Sequence, residues 1–280
     1  MTDILQIDIE KVLIEKNPKL AKRLPRFVIQ FIKRVIHQDD INQFLRDNSD
    51  KQGIKFAEAL IRDFGINMVV INQENIPRQG RFLFVANHPL GGIESMGFMK
   101  LVHDVFPEQI RFPVNDILLN LKNFDPIFIP INKFGSQTKD GIRLYNEVYA
   151  SDFQLLYYPA GLVSRKINGK VVDLEWKKTF VQKAVQYQRD IVPIFIDAQN
   201  TKRFYRVARW RKRLGIKASL ETFLLPSEFY HARNKTINYI IGKPISYTIF
   251  DKRKKPLEWA AQVKDYVYQL KENPNAEFKI

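Results

Sequence analysis

From about Ile66 onward the chain alternates short apolar runs with stretches of helical periodicity, and this alternation most restricts the folds open to it. The runs are Arg81–Ala86, Ile110–Val114, Pro126–Ile131, Phe153–Tyr158, Ile191–Ile196 and Thr236–Ile241. Short, apolar and rich in aromatic and β-branched residues, they read as buried strands. Helical patterns lie at Ser95–His103, Thr138–Tyr149, Trp176–Gln188 and Pro256–Lys271, with Pro256 as a starter. Strands alternating with helices predict an α/β fold: a mostly parallel central sheet flanked by helices.

The first part of the chain has another texture. Phe27-Val28, Phe31-Ile32 and Val35-Ile36 recur at helical spacing, and Phe56-Ala57, Leu60-Ile61 and Phe64 do so before Gly65. We therefore expect a helical amino-terminal subdomain over residues 1–65, placed to touch a membrane surface, followed by the α/β domain over residues 66–280. The 280 residues, 45% hydrophobic and 12% aromatic, suffice for one large core. Absence of cysteine excludes disulfides, thiolate catalysis and zinc–cysteine sites, and is compatible with a reducing cytoplasm. The four histidines, His37, His88, His103 and His231, lack metal-ligand spacing, so no metal site is expected. A secretion signal and a membrane span are likewise not expected. The formal charge of +15 calls for an anionic partner: nucleic acid, a membrane surface or a phosphate-bearing substrate.

Two strand ends carry the chemistry. Asn87-His88-Pro89-Leu90-Gly91-Gly92-Ile93-Glu94 follows the Arg81–Ala86 strand and leads into a helix. His88 thus sits on a glycine-rich turn at the carboxyl end of a strand, where sites of α/β sheets gather. A carboxylate such as Glu94 on one imidazole nitrogen fixes the tautomer and leaves the other nitrogen as a base. The plainer reading is a turn histidine beside a helix-capping glutamate. The second strand end is Tyr158-Pro159-Ala160-Gly161-Leu162-Val163-Ser164-Arg165-Lys166. Its guanidinium and ammonium groups beside turn N–H groups make a natural anion seat, or else an ordinary basic loop. A third strand end, Ile129 to Gly135, adds Lys133.

Thr201 to Lys217 contains eight Lys and Arg residues and no acid, interleaved with Phe204, Tyr205, Trp210 and Leu214. Cations mixed with aromatics suit an anionic bilayer surface, with Arg206, Arg209, Trp210 and Arg213 as the contact residues. A solvated basic face ranks second. Nucleic acid ranks third, because no RNA- or DNA-binding motif accompanies the charge.

These motifs resemble the glycerol-phosphate and lysophosphatidate acyltransferases. Asn87-His88 through Glu94 resembles the family's histidine–acid signature. Tyr158-Pro159-Ala160-Gly161 with Ser164-Arg165 resembles its Phe-Pro-Glu-Gly block, and Ile191-Val192-Pro193-Ile194 its Val-Pro-Ile strand. Ile127 to Lys133 falls where the family has an arginine-bearing block. The resemblance spans about Ile76 to Gly242 and is greatest to a bacterial branch with Asn-His-Pro-Leu-Gly-Gly, linked to phospholipid or amino-acid-headed lipid synthesis. Three departures stand out. Five residues rather than four separate His88 from its acid, which is Glu rather than Asp. Ala160 replaces the glutamate of the second block, and Lys133 is the nearest cation to the middle block.

The resemblance implies an O-acyltransferase in membrane lipid synthesis. His88 and Glu94 are then the catalytic pair, and Lys133, Gly161, Ser164, Arg165 and Lys166 the substrate-binding set. The donor is acyl carrier protein or acyl-CoA carrying a fatty acyl chain, with no cofactor. The acceptor is a lysolipid or a glycerol-phosphate-like hydroxyl. The expected location is cytoplasmic, peripheral on the inner face of the cell membrane. The alternative is an inactive acyltransferase-like protein that binds anionic lipid or nucleic acid.

Overall fold

The computed structural model describes residues 8–16, 18, 23–114, 118–130, 139–216 and 219–280. Among the described residues four helices come first: α1 (Ile9–Lys16), α2 (Arg26–Val35), α3 (Gln38–Asp47) and α4 (Ile54–Asp63). The strands are β1 (Asn67–Ile71), β2 (Phe82–Ala86), β3 (Ile110–Val114), β4 (Phe128–Pro130), β5 (Gln154–Tyr157), β6 (Arg165–Ile167), β7 (Lys170–Val172), β8 (Asp190–Asp197) and β9 (Thr236–Ile241). Helices α5 (Ile93–His103), α6 (Lys139–Ala150), α7 (Thr179–Tyr187), α8 (Lys202–Arg213), α9 (Leu225–His231) and α10 (Pro256–Gln269) complete the elements used below.

Seven strands form one sheet in the order β1-β9-β8-β2-β5-β3-β4, and β6 pairs with β7 in a separate hairpin. Strands β8, β2, β5, β3 and β4 run parallel, whereas β9 is antiparallel to β8 and carries β1 with it. The expected α/β fold with a mostly parallel sheet is therefore present. Alternate residues of β2 enter different cores. Phe82, Phe84 and Ala86 join Phe56, Leu60, Met96 and Val102 on the α4–α5 side. Leu83 and Val85 join Tyr149, Phe180, Trp259 and Val263 on the α6–α7–α10 side. A strand covered on both faces has no polar alternation, which explains the unbroken apolar runs. Phe44, Leu45, Phe56 and Phe64 of the amino-terminal helices share the core of β2 and α5.

Strand β1, the β6–β7 hairpin and helix α9 went unforeseen. Strand β1 is half-exposed at the sheet edge, so it lacks the apolar density of the inner strands. The β6–β7 hairpin turns at Asn168-Gly169, where both residues have positive φ (48° and 82°). An Asn-Gly pair between short runs marks such a turn, so this hairpin was legible. Helix α7 starts at Thr179, later than the Trp176 expected, because Trp176 belongs to the irregular segment after β7 and its ring is buried there.

The topology places the site. Strand β2 lies between β8 and β5, parallel to both. Their three carboxyl ends therefore emerge side by side, and segments distant in sequence converge: the turn after Ala86, the turn after Tyr157 and the segment after Asp197.

Candidate active site

The segment after β2 is anchored first by Asn87. Its Nδ2 donates to the Ile196 carbonyl at 2.9 Å and its Oδ1 accepts from Ile196 N at 2.7 Å, fastening the strand end to β8. The chain then bends through Pro89 to Gly92 and enters α5, whose second residue is Glu94. Asn200, beyond β8, donates from Nδ2 to the carbonyls of Pro89 and Leu90 at 3.3 and 3.2 Å. Gly91 has φ +90°, and a Cβ there would lie 2.6 Å from Val163 Cγ2 and 2.8 Å from Leu225 Cδ2. Both the backbone angle and the close approach require glycine.

His88 and Glu94 meet as the sequence suggested. Nδ1 of His88 lies 2.9 Å from Oε1 of Glu94. Glu94 is fully buried, a costly place for a carboxylate without compensation. The turn supplies it: Leu90 N and Gly91 N donate to Oε1 at 2.9 Å each, and Gly92 N donates to Oε2 at 2.8 Å. Burial pushes the carboxyl up, but the electrostatic attraction of the His88 ring and hydrogen bonds from His88, Gly91 and Gly92 outweigh it and hold the group below its ordinary range. The extra turn residue and the longer acid are thus compatible with one another: the glycine turn wraps the carboxylate while its oxygen still reaches the imidazole.

Three further contacts fix His88. Tyr158 stacks on its ring at 4.0 Å between centroids with 19° between planes. Tyr158 Oη is 3.1 Å from Ser95 Oγ, and burial together with the Glu94 charge raises its hydroxyl well above the ordinary tyrosine range. His88 N donates to Asp173 Oδ1 at 3.2 Å, and His88 O accepts from Ser164 N at 2.8 Å. The His88 side chain keeps 16% of its exposure. With Nδ1 facing Glu94, Nε2 is the nitrogen left to take a proton from outside.

The second turn comes alongside, but its residues are occupied differently from the sequence reading. Gly161 closes the turn, with φ +63° and its N donating to Tyr158 O at 2.9 Å. Ser164 is fully buried and its Oγ donates to Asp173 Oδ1 at 2.5 Å. Arg165 was expected over a substrate anion, yet its charge is answered inside the protein. Its NH2 donates to Glu221 Oε1 at 2.8 Å and its NH1 to the Val163 carbonyl at 2.5 Å, while Arg211 Nε lies 2.8 Å from Glu221 Oε2. Lys166 is exposed on β6, and Lys133 lies outside the described residues. No cluster of metal-ligating side chains occurs among the described residues.

Sequence reasoning passed over Asp173, Trp176, Asn200 and Glu221, and gave Tyr158 no role. Asp173 lies 85 positions from His88 and Glu221 56 from Arg165. No local pattern joins residues so far apart.

Next to this site lies α8. Thr201 caps it, and Glu228 accepts from Thr201 N at 2.6 Å and from Thr201 Oγ1 at 2.7 Å. Phe204 and Tyr205 pack inward with Val163. Arg206, Arg209, Trp210 and Arg213 face outward, with Trp210 66% exposed, and Leu214 and Phe223 beside them are equally open.

Residues 11–277 match the sequence model of the Acyltransferase family. The chain belongs to the acyltransferase family. It is similar to two proteins named lyso-glycine lipid O-acyltransferase. The one from Bacteroides thetaiotaomicron is 41% identical over 272 residues, 96% of this chain and all of the relative. The one from Phocaeicola vulgatus is 42% identical, over 96% of this chain and 98% of the relative. Among solved structures, the 1-acyl-sn-glycerophosphate (LPA) acyltransferase PlsC from Thermotoga maritima aligns with 91% of this acyltransferase and 95% of itself, at 17% identity and a TM-score of 0.45. The acyltransferase is an enzyme, and the inactive alternative is set aside.

Proposed function

We propose that this acyltransferase moves a fatty acyl group from an acyl thioester, on acyl carrier protein or CoA, to the hydroxyl of a lysolipid, with His88 as general base. The single observation that carries this reading is the 2.9 Å approach of His88 Nδ1 to a Glu94 carboxylate held by three backbone N–H groups. That pairing gives the ring one orientation and leaves Nε2 basic. As the acceptor oxygen attacks the thioester carbonyl carbon, its proton passes to Nε2. Glu94 stabilises the imidazolium. Collapse of the tetrahedral intermediate breaks the C–S bond, and the departing sulfur takes the proton from Nε2 as a thiol. The transfer is direct and needs no covalent enzyme intermediate.

For the acceptor, the relatives' names support a lysolipid with an amino-acid head, glycine in the first instance. The internal pairing of Arg165 with Glu221 fits an acceptor without a phosphate dianion. No helix among the described residues is long and apolar enough to cross a membrane. We assign the enzyme a peripheral place on the inner face, resting on the outward cations and Trp210 of α8.

The test is thiol release from acyl-CoA and acyl carrier protein with a panel of acceptors: lyso-glycine lipid, lyso-ornithine lipid, lysophosphatidate and glycerol 3-phosphate. The expected result is turnover with an amino-acid-headed lysolipid and a doubly acylated product by mass spectrometry. Thiol release with lysophosphatidate alone would overturn the acceptor. No release with any acceptor would overturn the reaction.

A further inference from the structure

Asp173 takes no part in the proton transfer above, yet it is tied directly to the residue that does. Its carboxylate is 1% exposed and receives three donors. Oδ1 accepts from His88 N at 3.2 Å and from Ser164 Oγ at 2.5 Å, and Oδ2 accepts from Trp176 Nε1 at 2.9 Å. Ser164 closes a ring of contacts, because its N donates to the His88 carbonyl at 2.8 Å. Asp173 and Ser164 together thus hold both backbone polar groups of His88.

The backbone of Asp173 is anchored in turn. Its N donates to Tyr268 Oη at 2.7 Å, and its carbonyl accepts from Lys264 Nζ at 2.7 Å. Both partners sit on α10, so the height of the histidine over the sheet is referred to the last helix of the chain. Glu94 and Tyr158 orient the imidazole ring, but neither fixes the main-chain position from which the ring extends.

We propose that Asp173 is a positioning residue for acyl transfer: it fixes the His88 main chain so that Nε2 meets the acceptor hydroxyl. This rests on the reading of His88 as base. A buried carboxylate is an expensive way to hold a turn, and its cost is offset only by converging donors. Here one of the three donors is the main chain of the base. A misplacement of about 1 Å at a reacting group costs on the order of 100-fold in rate, so a backbone anchor has leverage on turnover without touching substrate.

Asp173→Asn keeps the volume but changes the pattern of donors. The amide NH2 confronts Trp176 Nε1–H in one orientation and His88 N–H in the other, so the three converging donors are no longer all accepted and the grip on the His88 main chain is displaced. Trp176→Phe removes that donor instead, and Ser164→Ala removes the second contact to Oδ1. The experiment measures kcat and KM for the full-length enzyme and these three variants, well below the lowest melting temperature. In parallel, the ring nitrogens of the four histidines are recorded by nitrogen-15 NMR.

For Asp173→Asn we expect kcat to fall roughly 30- to 100-fold, with KM for donor and acceptor changed less than about threefold, in a fully folded protein. The His88 ring signals alone should shift or broaden. Wild-type kcat in folded Asp173→Asn would overturn the proposal, as would a loss that tracks the unfolded fraction or an unchanged His88 spectrum. If the wild type itself releases no thiol, the acyl-transfer reading fails separately, and the histidine spectrum alone decides whether Asp173 positions His88.

Discussion

Arg165 and Glu221 form an ion pair 2.8 Å long in which the carboxylate side chain is wholly buried and the guanidinium 10% exposed. Arg211 supplies a second cation to the same acid at 2.8 Å, so β6, α8 and the segment before α9 are locked together beside the histidine turn. The arginine that the sequence offers as an anion seat is paired with an acid of the protein itself.

Truncating one partner of such a pair leaves a buried charge unpaired, which typically costs about 3–5 kcal/mol. Glu221→Gln, which takes the anion from both arginines, is therefore expected to lower the melting temperature sharply, and Arg165→Ala, which leaves Glu221 paired with Arg211, to do so less. The Arg165→Ala, Glu221→Gln double variant should lose less than the sum of the two, because its members share one interaction. Calorimetry of the four proteins checks this. An unchanged melting temperature in Arg165→Ala, with only a raised acceptor KM, would return the guanidinium to the substrate.

His88→Ala removes the base together with its stacking on Tyr158 and its pairing with Glu94. Turnover should fall about 100- to 10,000-fold, the range of general-base contributions. Circular dichroism should stay close to wild type, while the melting temperature falls because the buried Glu94 loses its partner. Near-normal thiol release by the folded variant would end the assignment.

Glu94→Gln should lower kcat more than it changes KM, and its stability defect should depend on pH. The folded-state carboxyl lies below its ordinary value of 4.5, the opposing effect of burial notwithstanding. The ionised group therefore contributes stability that is fully present above pH 4.5 and fades as pH falls through the lower folded-state value. The melting-temperature gap between wild type and Glu94→Gln should accordingly be widest near neutrality and narrow below pH 4.5. A gap constant down to pH 3 contradicts the ionised, hydrogen-bonded carboxylate.

Gly91→Ala should impair folding or turnover strongly. The turn there has φ +90°, and the added methyl would meet Val163 and Leu225 within 2.8 Å. Rescue by Val163→Ala would show that the close approach matters as well as the backbone angle.

The outward face of α8 makes a prediction for membranes. Each cation near an anionic surface is worth about 1 kcal/mol. Replacing Arg206, Arg209 and Arg213 by Ala should therefore weaken binding to anionic vesicles on the order of 100-fold at low salt, with less effect in high salt. Trp210→Ala should weaken it further and without salt dependence. Cosedimentation with vesicles of graded phosphatidylserine content measures both. Equal binding by all variants would move the membrane contact elsewhere.

The sequence by itself determined the sheet's inner strands and the histidine–acid turn. Strands buried on both faces, such as Phe82–Ala86, must be continuously apolar, and Asn87 to Glu94 is one local segment whose parts cannot move far apart. The edge strand Asn67–Ile71 escaped because half-exposure dilutes the pattern. What only the tertiary structure decided is which charges face one another. Arg165 finds Glu221, and Asp173 finds His88, because β2, β5 and β8 bring their carboxyl ends together at one edge. Buried charges and donors choose partners within about 3 Å, and such distances between remote segments exist only once the sheet order and its register have formed.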